Sequence, residues 1–334
     1  MTTSRQIVLA ARPEGRPTDA NFRLETVELP ALQEGQVLVR NEFMSVDPYM
    51  RPRMDDRKSY IPPFQVDQPL DGGAVGTVIA SEDPDRPVGS VVAHGLGWRD
   101  VALLRGRSTA LITNTDVPIS YHLGILGMPG LTAFAGLTEV ASFREGDAVF
   151  VSGAAGAVGG LVGQFARILG ASRVVGSAGT DDKVAFVKDE LGFDDCMNYR
   201  TADVHEALPA MAPDGIDVYF DNVGGDHLAA ALDNLKQFGR VAACGSISEY
   251  NSATRERSIP GNLFKVVGQR ITIRGFISTD HAPLRPQFVE TVSGWISEGK
   301  IVYRETVTEG LDNAPSAFMD MLSGGNTGKA IVRL

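Results

Sequence analysis

The spacing of apolar positions changes near the middle of the chain. From Ile7 to about Asn114, short apolar runs alternate with Gly and Pro. Gln36–Arg40 (QVLVR), Gly72–Ala80 (GGAVGTVIA) and Val88–His94 read as strands, and Pro62, Pro63 and Pro69 make 61–70 an extended loop. No helix longer than two turns stands out before about Pro118. From Val149 onward, buried-type runs alternate with stretches of helical period. The predicted strands are Ala148–Val151, Arg173–Ser177, Cys196–Asn198, Asp217–Asp221, Arg240–Cys244 and Thr272–Ile277. Helices are expected between most of them, including Asp182–Glu190 and His227–Gln237. A further helix near Arg285–Glu298 and a last strand, Lys329–Leu334, close the chain. Alternation of this kind predicts an α/β fold with a doubly wound parallel sheet, preceded by a β-rich region.

One segment of the second half adds chemistry. Val149–Gly170 reads VFVSGAAGAVGGLVGQFARILG: an apolar strand, a glycine-rich turn, then a helix with Val158, Leu161, Val162, Phe165, Ile168 and Leu169 at helical spacing. Glycines let backbone approach a pyrophosphate, and the helix start offers N–H groups and a positive dipole end. Against the pattern G-x-G-x-x-G, Ala154 takes the first position, Gly156 and Gly159 the others, and Gly153 stands one residue early. A buried strand and helix without a ligand is the competing reading. The uncharged run Val149–Ala166 is not taken as a membrane span, because Ser152 and its glycines interrupt it and Arg167 ends it.

The next strand decides which dinucleotide is expected. An NAD site usually ends that strand with Asp or Glu on the ribose 2′-hydroxyl. Here Gly176-Ser177-Ala178-Gly179-Thr180 follows, with no acid until Asp181, and Lys183 lies on the next helix. Small residues, Gly179 among them, leave room for a 2′-phosphate, and a lysine supplies charge, so NADP(H) is favoured over NAD(H). An ordinary exposed helix lysine is the alternative for Lys183. Asp181 and Asp182 oppose a phosphate site unless they face away as helix caps.

Size and charge narrow the class. A chain of 334 residues, 43% of them hydrophobic, is long enough for two domains. Its formal net charge of -10 argues against nucleic acid and anionic membrane as partners. The two cysteines, Cys196 and Cys244, make neither a disulfide framework nor a Cys-rich zinc site. Ile7–Ala11 is too short an apolar run for a signal peptide, and a cytoplasmic location is expected.

An ordered set of motifs spans nearly the whole chain. It comprises Ser45-Val46-Asp47-Pro48-Tyr49-Met50-Arg51, Gly127-Met128-Pro129-Gly130-Leu131-Thr132-Ala133 and Ala154-Ala155-Gly156-Ala157-Val158-Gly159. It continues with Asp182-Lys183, Asn198-Tyr199, Asp221-Asn222-Val223-Gly224-Gly225, Cys244–Asn251 (CGSISEYN) and Gly325-Asn326-Thr327-Gly328-Lys329. With these motifs the chain resembles the zinc-free branch of the medium-chain dehydrogenases/reductases. That branch holds prostaglandin reductases, leukotriene B4 12-hydroxydehydrogenase, plant double-bond reductases and curcumin-reductase-like proteins. The resemblance implies a GroES-like β-rich catalytic domain at 1–120, a Rossmann NADP-binding domain at 121–290, and a return to the first domain at 291–334. It also implies a homodimer paired through an edge strand, Thr272–Ile277. No Cys/His cluster like that of the zinc-dependent relatives is present, no metal is expected, and His94 reads as a structural histidine.

Without zinc, reduction of an activated C=C bond is the expected chemistry. Hydride from NADPH adds to the β-carbon of an enone or alkenal, and the carbonyl oxygen gathers charge that a donor must stabilise. Two tyrosines are candidates. Tyr250 follows the fifth strand at the sheet edge where cofactors lie, and by resemblance contacts the cofactor or orients the substrate carbonyl. Tyr49 lies in a segment that lines the substrate cleft in relatives. A packed loop tyrosine and a core tyrosine are the respective alternatives.

The resemblance also assigns the 2′-phosphate to Lys183 and Tyr199, and the pyrophosphate to backbone at Gly156, Ala157 and Val158, with Gly159 completing the turn. Asn222, Met128, Gly130 and Thr132 fall at the nicotinamide half, and Asn326 at the cofactor phosphates; a turn-forming Asn before Val-Gly-Gly is the alternative for Asn222. Phe276 and Ile277 wall either the substrate site or a dimer interface. The charged run Arg53–Tyr60 and the residues Arg255–Arg257 read as solvated faces or as receptors for a substrate carboxylate. Quinone reduction and a non-catalytic NADPH-binding role remain as alternative functions.

Overall fold

The computed structural model describes residues 2–114, 116–251 and 260–334. These fall into two compact units, Met1–Gly124 with Glu305–Leu334, and Ile125–Arg304. In the first unit lie β1 (Thr3–Leu9), β2 (Phe22–Glu28), β3 (Gln36–Ser45), β4 (Ala74–Ser81), β5 (Val91–His94), β6 (Val101–Arg105) and β7 (Ala110–Leu111). The second unit holds β8 (Ala148–Val151), β9 (Arg173–Ala178), β10 (Asp195–Asn198), β11 (Ile216–Asp221), β12 (Leu235–Ala243) and β13 (Thr272–Gly275). The chain ends with β14 (Glu305–Glu309) and β15 (Lys329–Arg333), which belong to the first unit.

In the first unit, β15 runs antiparallel to β3, with Ile331 opposite Ser45, and carries β14 on its other side. β3 continues to β4, β5 and β7, and also pairs β6; β1 and β2 form a separate antiparallel pair. One core packs Met44, Met50, Met54 and Trp98 against Phe318, with Trp98 stacked on Phe22 at 6.0 Å. Inside this apolar setting, the Lys329 ammonium bonds Asp47 Oδ1 at 3.0 Å, the Val46 carbonyl at 3.0 Å and the Ala330 carbonyl at 2.8 Å. Every ammonium hydrogen therefore has an acceptor, which offsets its loss of water. Ser45 Oγ donates to the other oxygen of Asp47.

In the second unit the described strands form a parallel sheet in the order β10-β9-β8-β11-β12-β13. That is the doubly wound arrangement, with its switch point between β8 and β11. All residues of β8 are buried, as a central parallel strand requires. The helix after it is Gly159–Ile168.

Boundaries differ from the sequence pattern where tertiary contacts intervene. The helix expected over His227–Gln237 is Gly225–Asn234, because Leu235 is buried and pairs with Ile216, starting β12 early. β13 stops at Gly275 rather than Ile277 because Phe276 turns inward and packs edge-on against Phe220 at 6.2 Å. The helix over Asp182–Glu190 starts at Asp181 and widens to a π-helical turn over Phe186–Glu190. β2, β14 and the helices Val204–Met211 and Ala314–Leu322 were not expected from the pattern.

Candidate active site

At the carboxyl end of β8 the chain turns sharply. Gly153 has a φ of +64°, so the early glycine, not the position held by Ala154, makes the left-handed turn. Ala154 is fully buried, and its N–H donates to the Ser177 carbonyl on β9 at 2.8 Å. Gly156 N–H donates to the Gly153 carbonyl at 3.0 Å. A methyl group on Gly159 would lie 2.4 Å from the Gly153 oxygen, so the turn and helix can approach only with glycine there. Ala157 lies within the turn. Val158 precedes the helix without a side-chain cap, leaving backbone to meet a ligand.

Beyond β9, Thr180 caps the helix Asp181–Ala185, its hydroxyl accepting from Lys183 N–H at 3.3 Å. The cap is therefore Thr180 and neither Asp181 nor Asp182. Asp181 is instead tied to Asn198, whose amide donates to Oδ1 at 2.7 Å. Beside this helix, a methyl on Gly179 would fall 2.9 Å from Tyr199 Oη and 3.4 Å from Arg200 Nε. Gly179, Tyr199 and Arg200 thus meet at one point, and Arg200 is a residue the sequence pattern did not single out. The Tyr199 ring stands at 77° to the His227 ring, 5.4 Å away. Burial lowers the His227 pKa to about 4 and keeps that ring neutral.

The carboxyl ends of β8 and β11 share a buried polar cluster. Asn222 donates from its backbone N–H to Ser152 Oγ at 3.0 Å and from its side chain to the Ser152 carbonyl at 2.8 Å. Tyr219 Oη lies 3.0 Å from Ser152 Oγ and 2.7 Å from Asp221 Oδ1. Asp221 Oδ1 also accepts from Val223 N–H at 3.0 Å and Gly224 N–H at 2.7 Å. Desolvation raises the Asp221 pKa, and these donors act against it. Asn222 is thus a turn residue whose amide is engaged with Ser152. Ser152, Tyr219 and Asp221 were not expected; the period-2 spacing of Tyr219 and Asp221, on one face of β11, is the signal that marks them.

Tyr250 follows β12 in the loop 244–250, and a methyl on Gly245 would lie 3.2 Å from its hydroxyl. Met128 and Thr132 open the helix Met128–Ala135. Met128 is exposed, and the buried Thr132 hydroxyl donates to the Met128 carbonyl at 2.8 Å. Phe276 packs on Phe220 and on His281 within its own unit.

The remaining candidates lie in the first unit. Tyr49 is half-buried against the Met44–Trp98 core, and burial, with Asp47 nearby, pushes its phenol pKa up. Asn326 donates to the Gly328 carbonyl at 2.8 Å. His94 is structural: its Nδ1 accepts from Leu96 N–H at 3.1 Å, so its Nε2 donates to Asn41 Oδ1 at 2.9 Å. Burial lowers its pKa to about 4. Both cysteines are free, and burial pushes both thiols up to about 12. Among the described residues, no group of three or more His, Cys, Asp or Glu could hold a metal ion.

The charged run from Arg53 is not simply a solvated face. Arg53 is buried, pairs with both oxygens of Asp71 and lies over the Phe64 ring at 3.9 Å. Arg57 pairs with Asp55 at 3.3 Å. Arg255 and Arg257 lie outside the described residues. No helix among the described residues is long and apolar enough to cross a membrane.

Two family models, several relatives and solved structures match the chain. Residues 5–112 match the family model described as N-terminal domain of oxidoreductase, and residues 157–297 the one described as zinc-binding dehydrogenase. The chain is 43% identical over 336 residues to the NADP(+)-dependent 2-alkenal reductase of Nicotiana tabacum, covering 99% of this chain and 97% of that protein. It is 42% identical over 326 residues to prostaglandin reductase 1 of Rattus norvegicus, covering 96% of each. The crystal structure of CurA from Vibrio vulnificus in complex with NADPH superposes with a TM-score of 0.93 at 40% identity, covering 98% of each chain.

Proposed function

The chain belongs to the medium-chain dehydrogenase/reductase family, in the branch that holds the prostaglandin reductases, and we propose that it reduces the α,β-double bond of enones and alkenals with NADPH. One observation carries the reading. A glycine cradle after β8, a glycine opening beside Tyr199 and Arg200, and a tyrosine-bearing loop after β12 all lie at the carboxyl edge of one sheet. Ligands of such sheets bind at that edge, beside the switch point.

The residues fit a phosphorylated dinucleotide. Gly156, Ala157, Val158 and Gly159 bring backbone to the pyrophosphate, and Gly179 lets Tyr199 and Arg200 close in on the backbone where a 2′-phosphate is expected. Lys183 and Tyr199 hold that phosphate, with Arg200 adding charge; Asp181 is held by Asn198. Met128 and Thr132 serve the nicotinamide half, and Asn222 bears on it only as part of the turn that its amide pins to Ser152. When bound, NADPH supplies the hydride that adds to the substrate β-carbon. Tyr250 donates a hydrogen bond to the carbonyl oxygen, where enolate charge gathers. A phenol is protonated at neutral pH and can donate without tuning. Tyr49, also protonated, is the second phenol assigned to substrate.

The reaction is read as metal-independent, since both His94 nitrogens are engaged and both thiols have their pKa pushed up, away from the thiolate a metal needs. A homodimer is supported by β13, whose residues are all exposed, and by exposed Phe238, Phe264, Val267 and Ile273 around it. A cytoplasmic location fits two free cysteines.

Oxidation of NADPH and of NADH with a medium-chain 2-alkenal tests the reading, on wild type and Lys183→Ala. Turnover with NADPH is expected. The variant should raise KM for NADPH by about tenfold, the scale of one charge-assisted hydrogen bond, and change NADH kinetics little. If both cofactors bind and alkenal accelerates the oxidation of neither, the assignment falls, and quinones become the next substrates to try.

A further inference from the structure

The polar cluster between β8 and β11 has a direction. Tyr219 has one hydroxyl hydrogen, and the Asp221 oxygen at 2.7 Å can only accept, so Tyr219 donates to Asp221. Ser152 Oγ has its shorter acceptor in Tyr219 Oη at 3.0 Å, against 3.4 Å to the Phe220 carbonyl, and itself accepts from Asn222 N–H at 3.0 Å. The chain of donors runs from Asn222 through Ser152 and Tyr219 to Asp221, which also gathers the N–H groups of Val223 and Gly224. Tyr219 Oη and Asp221 lie in the interior of the unit, and Tyr219 is stacked on Phe150 at 5.0 Å. Such a satisfied network fixes the turn 221–224 in one conformation.

That turn in turn holds the loop carrying Tyr250. The Asp221 carbonyl accepts from Cys244 N–H at 2.9 Å and Gly245 N–H at 3.0 Å. The Asn222 carbonyl accepts from Ile247 N–H at 3.3 Å. The Val223 carbonyl accepts from Ser248 N–H at 3.3 Å and from Ser248 Oγ at 2.6 Å. Successive carbonyls of the turn thus take successive donors of the loop. The loop then closes with Tyr250 N–H on the Ile247 carbonyl at 3.3 Å.

We propose that Ser152, Tyr219 and Asp221 are positioning residues for catalysis: through the turn 221–224 they set where the Tyr250 hydroxyl stands. This rests on Tyr250 being the group that meets the substrate carbonyl. None of the three touches substrate or cofactor in this account. Their effect reaches the reaction through Tyr250, where a small misplacement of a donor costs rate rather than binding.

Tyr219→Phe is the decisive variant. It removes one hydroxyl and keeps the ring on Phe150, so folding should survive. The expected result is a kcat for alkenal lowered about tenfold, with the NADPH dissociation constant unchanged within about twofold. In a Tyr250→Phe background the same change should cost almost nothing further, because the two act as one unit. A second readout needs no turnover: fluorine NMR of fluorotyrosine-labelled protein, with the Tyr250 signal assigned by Tyr250→Phe. That signal should shift or broaden in Tyr219→Phe. Full additivity of the two substitutions, or an unmoved Tyr250 signal, overturns the proposal. If wild type reduces no alkenal, the function reading fails by itself, and the NMR comparison still decides whether Tyr219 positions Tyr250.

Discussion

Each unit buries a polar cluster that ties strand ends together, and the two are closed in different ways. In the first unit, Lys329, Asp47 and Ser45 form a closed ion pair whose contacts are with side chains and carbonyls of β3, β15 and the segment after β3. In the second, Ser152, Tyr219 and Asp221 form a chain whose last members are the N–H groups of an outward turn. The first has no free end; it ties the last strand to the segment that carries Tyr49. The second passes its order to a loop with a candidate catalytic phenol. A buried charge pair is costly to break, whereas losing the Tyr219 hydroxyl leaves Asp221 its two backbone donors, Val223 and Gly224 N–H. The comparison teaches that both clusters end beside a candidate phenol but by different means: the first is closed by a buried charge, and the second orders its loop through backbone hydrogen bonds.

The sharpest way to break the comparison is to remove one partner from each cluster. Lys329→Met leaves Asp47 buried without its counter-charge, and should destabilise the protein by about 3–5 kcal/mol in denaturant unfolding. Tyr219→Phe should change that midpoint far less while slowing turnover. If Tyr219→Phe were the more destabilising of the two, the distinction would be lost.

A smaller effect appears with acid. Each unit holds a buried neutral histidine, His94 and His227, with its pKa lowered by burial from 6.5 to about 4. The unfolded chain binds more protons than the folded one between these values. Their stabilisation is therefore present above about pH 6.5 and is lost as pH falls toward 4. Melting temperature should decline across that window. His227→Phe, which can keep the stack on Phe150, should flatten the decline; an unchanged slope would show that His227 does not contribute to it.

Much of the fold was legible because its signals are local. Apolar runs, glycine breaks and helical period marked the strands of the parallel sheet and the helix after β8. β14 was not legible, since ETVTE presents mostly polar residues to a sheet edge, and the helix Val204–Met211 hides behind Pro209. The proposed cofactor residues rest on two kinds of signal: the glycines and Lys183 stand out against what a core strand or helix needs, and Tyr199 is assigned by the resemblance. Ser152 could not be joined to Tyr219 and Asp221 from the sequence because 67 residues separate it from Tyr219. Arg200 was overlooked because only the folded backbone brings it beside Gly179. Of the charged run from Arg53, residues 56–60 are exposed as a solvated face, and Arg53 departs from it because its partner, Asp71, lies outside the run.

The central claim is that hydride adds to the β-carbon of an unsaturated carbonyl compound. The most direct measurement is the position of deuterium in the product after reaction of a 2-alkenal with NADPH deuterated at the transferable position of the nicotinamide. The account predicts a saturated aldehyde with deuterium at the β-carbon. Deuterium at the carbonyl carbon, in an unsaturated alcohol, would contradict it.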